Sequence, residues 1–195
     1  MLDKALIFIR DVLNQELKLS LELEDEPVVV SSLINPDGSP AASAENKIVI
    51  SIINLEHETA VKSRQDYYRE ASDTGFGQVR PPVYLNVYLL ISANYDSGNY
   101  LEANKRLSKV ISTFQGHSYY TKQAYPSMQK PLEKLTFELY NLPINELSHI
   151  WSGIGAKYVP SVIYKVRMLN LQEDRIDKEI PGITGLSGLT KTKNE

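Results

Sequence analysis

The sequence predicts a mixed α+β domain in which helices pack on a single sheet of about four to six strands. Hydrophobic residues alternate strictly over Val83–Asn94, which is typical of a strand. In three other segments apolar residues recur every three or four positions, as they do on the buried face of a helix. These segments are interspersed along 195 residues, a length that one domain with one core can account for.

The amino-terminal segments supply a helix and two strands. One apolar stripe predicts the first helix, and its members are Leu2, Leu6, Ile9, Leu13 and Leu17. Hydrophobic residues then alternate as far as Leu23, which leaves a strand or a fraying helix end open. The β-branched run Val28–Val30 predicts a short strand, and the turn residues that follow predict an exposed loop. Lys47–Glu58 is apolar on both faces, which predicts an interior strand.

The central segments supply the clearest strand and the second helix. Ser63–Arg80 shows no sustained period and predicts a loop. In the strand that begins at Val83, one face is wholly apolar and the other carries polar and aromatic side chains. A stripe from Tyr100 to Phe114 predicts a helix that stops at Gly116.

The carboxy-terminal segments complete the order helix, strand, strand, strand, helix, strand, helix, strand, tail. Leu132–Leu142 predicts a strand, and Pro143 opens a helix that runs to about Ala156. A last strand starts at Pro160. The period is lost at about Leu171, which predicts a domain over 1–170 and an extended or disordered tail over 171–195.

The chain offers no pattern that points to catalysis, a metal or a cofactor. It contains no cysteine, which excludes disulfides, thiol nucleophiles and thiolate metal sites. His57, His117 and His149 lack the partners that a nucleophile or a metal site needs, and ordinary surface roles account for them. The glycine pairs at 75–77 and 153–155 each match two positions of a dinucleotide-binding fingerprint and lack the third. We therefore expect no catalytic, metal-binding or cofactor-binding residue.

Charge and hydropathy exclude two further classes of partner. The net charge is −3, from 21 basic and 24 acidic residues, which argues against a nucleic acid partner. The longest apolar stretch is too short to span a bilayer, and the amino terminus lacks the pattern of a signal peptide. The cytosol is therefore the expected compartment.

Tyrosine is unusually abundant, with 12 Tyr against 4 Phe and 1 Trp. Aromatic rings with a polar tip anchor many protein interfaces. On the strand after Val83, Tyr84, Asn86 and Tyr88 could form such an interface, or the rings could pack under a helix with their hydroxyls at the rim. The residues leave both interpretations open.

Four blocks of the sequence resemble a known family. They are Asn46–Glu56, Arg80–Leu90, Glu133–Leu142 and Trp151–Met168. In this order they resemble the tail-terminator, or cap, proteins of contractile injection systems. These systems are phage tail-like particles, such as the antifeeding prophage and the Photorhabdus virulence cassettes.

The resemblance implies a structural protein rather than an enzyme. Six copies would form a homohexameric ring that terminates the inner tube and the sheath at the end distal to the baseplate, and so limits particle length. Its partners would be the tube protein and the sheath protein, with no nucleic acid and no direct membrane insertion. Assembly would take place in the cytoplasm, in a particle that is released or anchored. Two alternatives stay open, a baseplate or sheath adaptor of the same particle and a small-molecule-binding domain or enzyme.

The family interpretation also gives a set of candidate interface residues. They are Tyr84, Asn86, Tyr88, Arg80, Trp151, Tyr164, Arg167, Phe76, Ile180 and Ile183. Sheath subunits of these particles are linked by extended arms that add strands to their neighbours, so a cap could accept or imitate such an arm. We expect the loop Ser63–Arg80 or the tail from Leu171 onward to become ordered on docking.

Overall fold

A computed structural model of the chain describes residues 1–58, 67–72, 75–79, 83–171 and 176–181, with side chains described over 1–58 and 83–167. The chain divides into two compact units. The first consists of Met1–Thr59 and Tyr84–Leu171, and the second of Ala60–Val83 with Gln172–Glu195.

The described elements confirm a mixed α+β fold. The helices are α1 (Leu2–Leu21), α2 (Tyr100–Gly116) and α3 (Ile144–Ile154). The strands are β1 (Val28–Val30), β2 (Lys47–His57), β3 (Tyr67–Ser72), β4 (Gly75–Val79), β5 (Val83–Asn94), β6 (Tyr119–Thr121), β7 (Lys134–Leu139), β8 (Ser161–Leu171) and β9 (Ile176–Pro181). Single 3₁₀ turns precede β2 and α2 at Ala42–Ala44 and Ser97–Asn99.

Six strands form the sheet of the first unit in the order β1-β2-β5-β8-β7-β6. β1 runs parallel to β2, with Val28 opposite Ile48, whereas β2 and β5 pair antiparallel along nearly their whole length. β7 pairs antiparallel with both β6 and β8. A β-bulge interrupts the β2–β5 register between Ile52 and Asn54. The interior position predicted for β2 is thus confirmed over Ile48–Ile50, which have β1 on one side and β5 on the other. From Ser51 onward the side chains of β2 are half-buried or exposed, so that part is not interior.

The sheet separates two hydrophobic clusters. The first lies between the sheet and helices α1 and α2, and its largest buried members include Ile9, Leu13, Leu17, Ile48, Ile50, Leu89 and Ile91. The second lies on the opposite face under α3, and its buried members are Leu33, Ala41, Ala44, Val49, Leu90, Trp151 and Ile163. β5 contributes to both clusters. It is a central strand, and it is buried on both faces over most of its length.

Aromatic rings fill the end of the first cluster. Phe114 on α2 stacks on Phe137 of β7 and meets Tyr164 and Tyr120 edge to face. Burial raises the pKa of the Tyr120 and Tyr164 hydroxyls, because the charged phenolate is poorly solvated there. Tyr119 and Tyr120, for which the sequence predicts no strand, form β6, and Tyr120 is 2% exposed.

The outer edge of β1 is closed by a side chain rather than by a strand. The Val28 N–H donates to Asn14 Oδ1 at 2.9 Å, and Asn14 Nδ2 donates to the Val28 carbonyl at 3.0 Å. Asn14 lies on α1 and is buried. Its carboxamide therefore pairs with the edge as a neighbouring peptide group would.

The second unit contains a three-stranded antiparallel sheet in the order β3-β4-β9. Phe76 on β4 lies directly opposite Ile180 on β9, and Tyr67 on β3 lies opposite Val79. Strands β3 and β4 fall inside Ser63–Arg80, where the sequence predicts a loop. Main-chain pairing with β9, which is about a hundred residues away in the chain, leaves no periodic signal in the local sequence.

Two helix boundaries differ in detail from the sequence prediction. α1 continues to Leu21, so the alternation that begins at Leu17 belongs to a helix end and not to a strand. Tyr100 begins the apolar stripe predicted for α2, and the apolar Ile144 follows Pro143 at the start of the next predicted helix, yet both side chains are exposed. Each lies at the first position of its helix, where the stripe begins before the helix reaches the sheet.

Candidate assembly surface

The face of the first sheet that carries α3 is only partly covered. An 11-residue helix is about 16 Å long, whereas a 12-residue strand such as β5 spans about 40 Å. The second cluster ends near Leu90, and the same face continues along β5 through Tyr88, Asn86 and Tyr84. The residues beyond α3 on this face are polar.

We call this region the polar face, and its members are Glu56 of β2, Asn86 and Tyr88 of β5, Lys165 and Arg167 of β8, and Glu138 of β7. Glu56 lies opposite Asn86, and Glu138 lies opposite Lys165. Glu138 and Lys165 thus form a cross-strand pair of opposite charge, an arrangement that stabilises strand pairing.

Tyr88 is the centre of a three-residue network on the polar face. Its hydroxyl donates to Glu56 Oε2 at 2.7 Å, and Lys165 Nζ donates to the same oxygen at 3.3 Å. Lys165 Nζ also lies 5.3 Å from the centroid of the Tyr88 ring. The Tyr140 ring packs against Tyr88 edge to face, with centroids 4.9 Å apart. Tyr88 is therefore 8% exposed, with its hydroxyl at the polar rim.

The network shifts the pKa values of its members in consistent directions. The hydrogen bond from Tyr88, with the nearby Lys165 cation, lowers the pKa of Glu56 below its ordinary value of 4.5. Desolvation and the hydrogen bond to Glu56 raise the pKa of Tyr88. The Tyr88 hydroxyl, together with Glu56, raises the pKa of Lys165. At neutral pH the network therefore holds an ionised Glu56 carboxylate that accepts hydrogen bonds from both the neutral Tyr88 phenol and the Lys165 ammonium group.

The rest of the polar face combines paired charges with unused polar atoms. Asn86 is 1% exposed, and its Nδ2 donates to Glu58 Oε2 at 3.0 Å. Arg167 forms an ion pair of 2.6 Å with Glu138. Within the described part of the chain, the buried Asn86 Oδ1 and Arg167 Nε have no hydrogen-bond partner. Both atoms are buried, so a hydrogen bond to either one from outside would require the side chains around it to move.

An apolar surface adjoins the polar face along α3. Ile144 is 87% exposed and Tyr158 is 63% exposed, and both line a groove of about 620 Å³ with Leu147 and Trp151. Trp151 is buried, and its ring contacts Tyr158 edge to face at 5.5 Å between centroids. A wide apolar groove beside a polar rim is typical of surfaces that bind other proteins.

Over the described residues, no three His, Asp or Glu side chains gather as a metal site would require. The three histidines are separate in the fold, with His57 at the end of β2, His117 after α2 and His149 on α3. No helix within those residues has the length and the apolar character that a membrane crossing needs.

The structure places the interface candidates of the first unit at different depths. Tyr84 and Arg167 are half-buried on the polar face, beside the buried Asn86 and Tyr88. Trp151 and Tyr164 lie on opposite faces of the sheet, each inside one hydrophobic cluster. Their rings therefore stabilise this chain itself. An interface role for these six residues remains a prediction, which the exposed parts of Tyr84 and Arg167 favour most.

The other four candidates belong to the second unit. Phe76 and Ile180 are paired across β4 and β9. Arg80 and Ile183 lie outside the described residues. The interface role of these residues also remains a prediction.

Sequence reasoning missed the charged members of the polar face. Glu56, Glu138 and Lys165 each lie on a predicted strand, but their meeting depends on the register between strands distant in the chain. The available signal was the opposite sign of these charges at exposed strand positions. Without the pairing order, that signal is indistinguishable from ordinary solvated residues.

Comparisons with known proteins give one family and two similar structures. The family model described as the Pvc16 N-terminal domain matches residues 7–185. The tube-terminating cap of the anti-feeding prophage superposes with a TM-score of 0.59 at 12% identity, over 94% of this chain and 60% of that chain. The sheath/tube terminator of an extracellular contractile injection system, PVC, in its extended state gives a TM-score of 0.59 at 11% identity, over 96% of this chain and 64% of that chain. None of the curated protein sequences matches. The chain thus spans about 60% of each similar structure.

Proposed function

The chain belongs to the family of the Pvc16 N-terminal domain, and from this premise we propose that it is the terminating cap of a contractile injection particle. The observation that carries the proposal is the fold. Nearly the whole of this chain superposes on two proteins described as terminators of a tube or of a sheath and tube.

The proposed cap ends a stack of repeating rings. Heterologous contacts between identical rings continue until a different subunit blocks the exposed end. A terminator needs one surface that fits the last ring and a second surface that does not continue the repeat. It needs no catalytic group, which agrees with a described surface that is rich in ion pairs and apolar side chains.

We propose six copies in a ring, with the tube protein and the sheath protein as its partners. The polar face and the α3 groove support such contacts between subunits. The polar face offers charges of both signs that can fix register, and the groove offers exposed apolar area at Ile144 and Tyr158. We further propose that assembly takes place in the cytoplasm of the producing cell.

Deletion of the gene, followed by electron microscopy of the particles, tests the capping role. We expect tubes of irregular length, unstable sheaths, or both, and restoration of uniform particles when the intact gene is supplied in trans. Uniform particles with stable sheaths in the deletion strain would show that another protein ends the stack.

The oligomeric state has its own test. Size-exclusion chromatography with light scattering of the purified chain measures how many copies associate. Negative-stain imaging of purified particles labelled on this chain shows at which end the ring lies. Six copies in a ring at the end distal to the baseplate are expected. A label at the baseplate end would instead identify an adaptor and reject the cap.

A further inference from the structure

The first turn of α2 carries two adjacent apolar side chains that are exposed. Leu101 is 84% exposed, and Tyr100 beside it is 57% exposed. Successive residues of a helix are about 100° apart, so Leu101 lies roughly half a turn from the buried Ala103 and Val110. Because those two residues face the sheet, Leu101 points away from it. We call Tyr100 and Leu101 the α2 knob.

Two other strongly exposed apolar side chains do not form such a projection. Leu19 is 73% exposed, but its neighbours in the chain are Lys18 and Ser20. Tyr119 on β6 is 59% exposed, and its ring centroid already lies 5.4 Å from the Lys134 ammonium group. Single exposed apolar residues are ordinary on protein surfaces, whereas an adjacent pair at the start of a helix makes a projection that a groove can receive.

The groove along α3 lies on the opposite side of the sheet from the α2 knob. α2 packs on the sheet face that holds the first hydrophobic cluster, and α3 packs on the face that holds the second. The strongly exposed Ile144 and Tyr158 line this groove, together with the buried Trp151. A projection on one side of a chain and an opening on the other are the two halves of a heterologous contact, in which different patches of identical chains meet.

Charge at the edges of the two surfaces favours the same pairing. Lys157 lies between two residues that line the groove, and it is exposed and makes no ion pair with any described residue. Asp96 lies just before the α2 knob, and among the described residues its carboxylate accepts hydrogen bonds only from Asn99. Glu102, just after the knob, is already paired with Arg106 at 3.0 Å. The knob of one copy in the groove of another thus brings a carboxylate without a cation towards an ammonium group without an anion.

We propose that the α2 knob of one copy of this chain inserts into the α3 groove of a neighbouring copy, with Leu101 against Ile144 and Asp96 near Lys157. Each copy then gives its knob to one neighbour and its groove to the other, and the series closes into a ring when the rotation between copies divides a full turn. This inference rests on the proposed function, in which copies associate at the particle end, and adds the two surfaces that meet.

Engineered cysteines test the contact directly, because the natural chain has none. Leu101→Cys and Ile144→Cys are introduced singly and together, and purified particles are treated with a short bis-maleimide, which links thiols that lie close together. We expect the double variant to give linked copies on a denaturing gel, at a yield at least roughly ten-fold above that of either single variant. A heterologous contact brings the two positions to each other and neither position to itself.

The matched control is Tyr119→Cys combined with Ile144→Cys, since Tyr119 is also exposed but lies on β6. Equal linkage in this control, or linked dimers from either single variant, would overturn the proposal. Particles that carry the double variant at their end without linked copies would also overturn it, and would leave the capping role intact. A label on the chain that lies away from the distal end would instead reject the proposed function. If the double variant is not incorporated, Tyr100→Cys with Tyr158→Cys replaces it.

Reversal of one charge gives an independent measurement. Lys157→Glu would set a carboxylate against Asp96 of the neighbouring copy, so the yield of linked copies from the double variant should fall roughly two- to ten-fold. Lys130→Glu makes the same change of net charge at another exposed lysine and should leave the yield unchanged. Equal yields from these two variants would contradict the proposed position of Lys157 at the contact.

Discussion

Phe114 and Phe137 stack with their ring centroids 4.2 Å apart and their planes 11° from parallel. The first ring comes from α2 and the second from β7, so the stack sets how the helix lies on the sheet. Both rings are buried, at 2% and 5% exposure.

Replacement of Phe114 by alanine should be among the most damaging changes in the chain. The cavity would remove the stack with Phe137 and the edge contacts with Tyr120 and Tyr164. We expect a loss of about 3–5 kcal/mol in the free energy of unfolding, measured by urea titration. Leu101→Ala on the same helix is the control, since Leu101 is 84% exposed and should change stability by less than about 0.5 kcal/mol. Equal effects of the two changes would contradict the packing described.

Asn14 should contribute to stability through main-chain pairing rather than through packing. Asn14→Ala would leave the buried N–H and carbonyl of Val28 without partners, which costs about 1–3 kcal/mol for such a group. Asn104→Ala is the comparison, because the Asn104 side chain makes an exposed bond within α2. Urea titration of both variants measures the difference, and an Asn14 variant as stable as the Asn104 variant would disprove the edge closure.

The Glu56 network should make stability depend on acidity. The folded-state pKa of Glu56 lies below 4.5, so the unfolded chain binds this proton more readily. The contribution is therefore complete above pH 4.5 and disappears as the pH falls through the folded-state value. Glu56→Gln should be less stable than the natural chain at pH 7 and should converge with it in acid. Thermal unfolding between pH 3 and pH 7 tests this, and parallel curves would reject it.

Single substitutions of Tyr84 and Tyr88 should have different effects, one on assembly and the other on folding. Tyr88→Ala should destabilise the free chain by about 3 kcal/mol, because its ring is buried against Tyr140. Tyr84→Ala should leave the free chain folded and reduce its incorporation into particles, if the half-buried ring meets a neighbouring subunit. Circular dichroism melting gives the first quantity and quantitative blotting of purified particles the second. Normal incorporation of the Tyr84 variant would remove that residue from the interface.

The α3 groove should act in assembly and not in folding. Ile144 is 87% exposed, so Ile144→Ser should alter the unfolding free energy by less than about 0.5 kcal/mol. If the groove is buried against a partner in the particle, the Ile144→Ser variant should be incorporated less well than the natural chain. Leu19→Ser, at a comparably exposed position of α1, provides the control for a general effect of surface polarity. Equal incorporation of the two variants would place the interface elsewhere.

The local pattern of apolar residues was sufficient to predict the helices and strands that pass through the core. The stripe of α1 and the alternation of β5 each report burial against one or two layers, and both elements occur where the sequence predicts them. The family resemblance is confirmed as well, since the family model matches residues 7–185.

The local pattern of apolar residues could not predict which strands pair when they are distant in the chain. β6 has only three residues and exists because Tyr120 lies opposite Leu135. The Glu56–Lys165 contact joins residues 109 positions apart, on strands separated in the sheet by β5. Nothing within either segment specifies which strand will be its neighbour, so the polar face emerges only with the register.

The sheet of the first unit divides its interior into two apolar compartments, one under α1 and α2 and the other under α3. A change in one compartment reaches the other only through the strand backbones, so the energetic effects of substitutions on the two sides should be nearly additive. The cluster under α1 and α2 can therefore keep the domain folded while side chains in the cluster under α3 are replaced. A protein built in this way can exchange its binding partners over evolutionary time without having to find a new architecture.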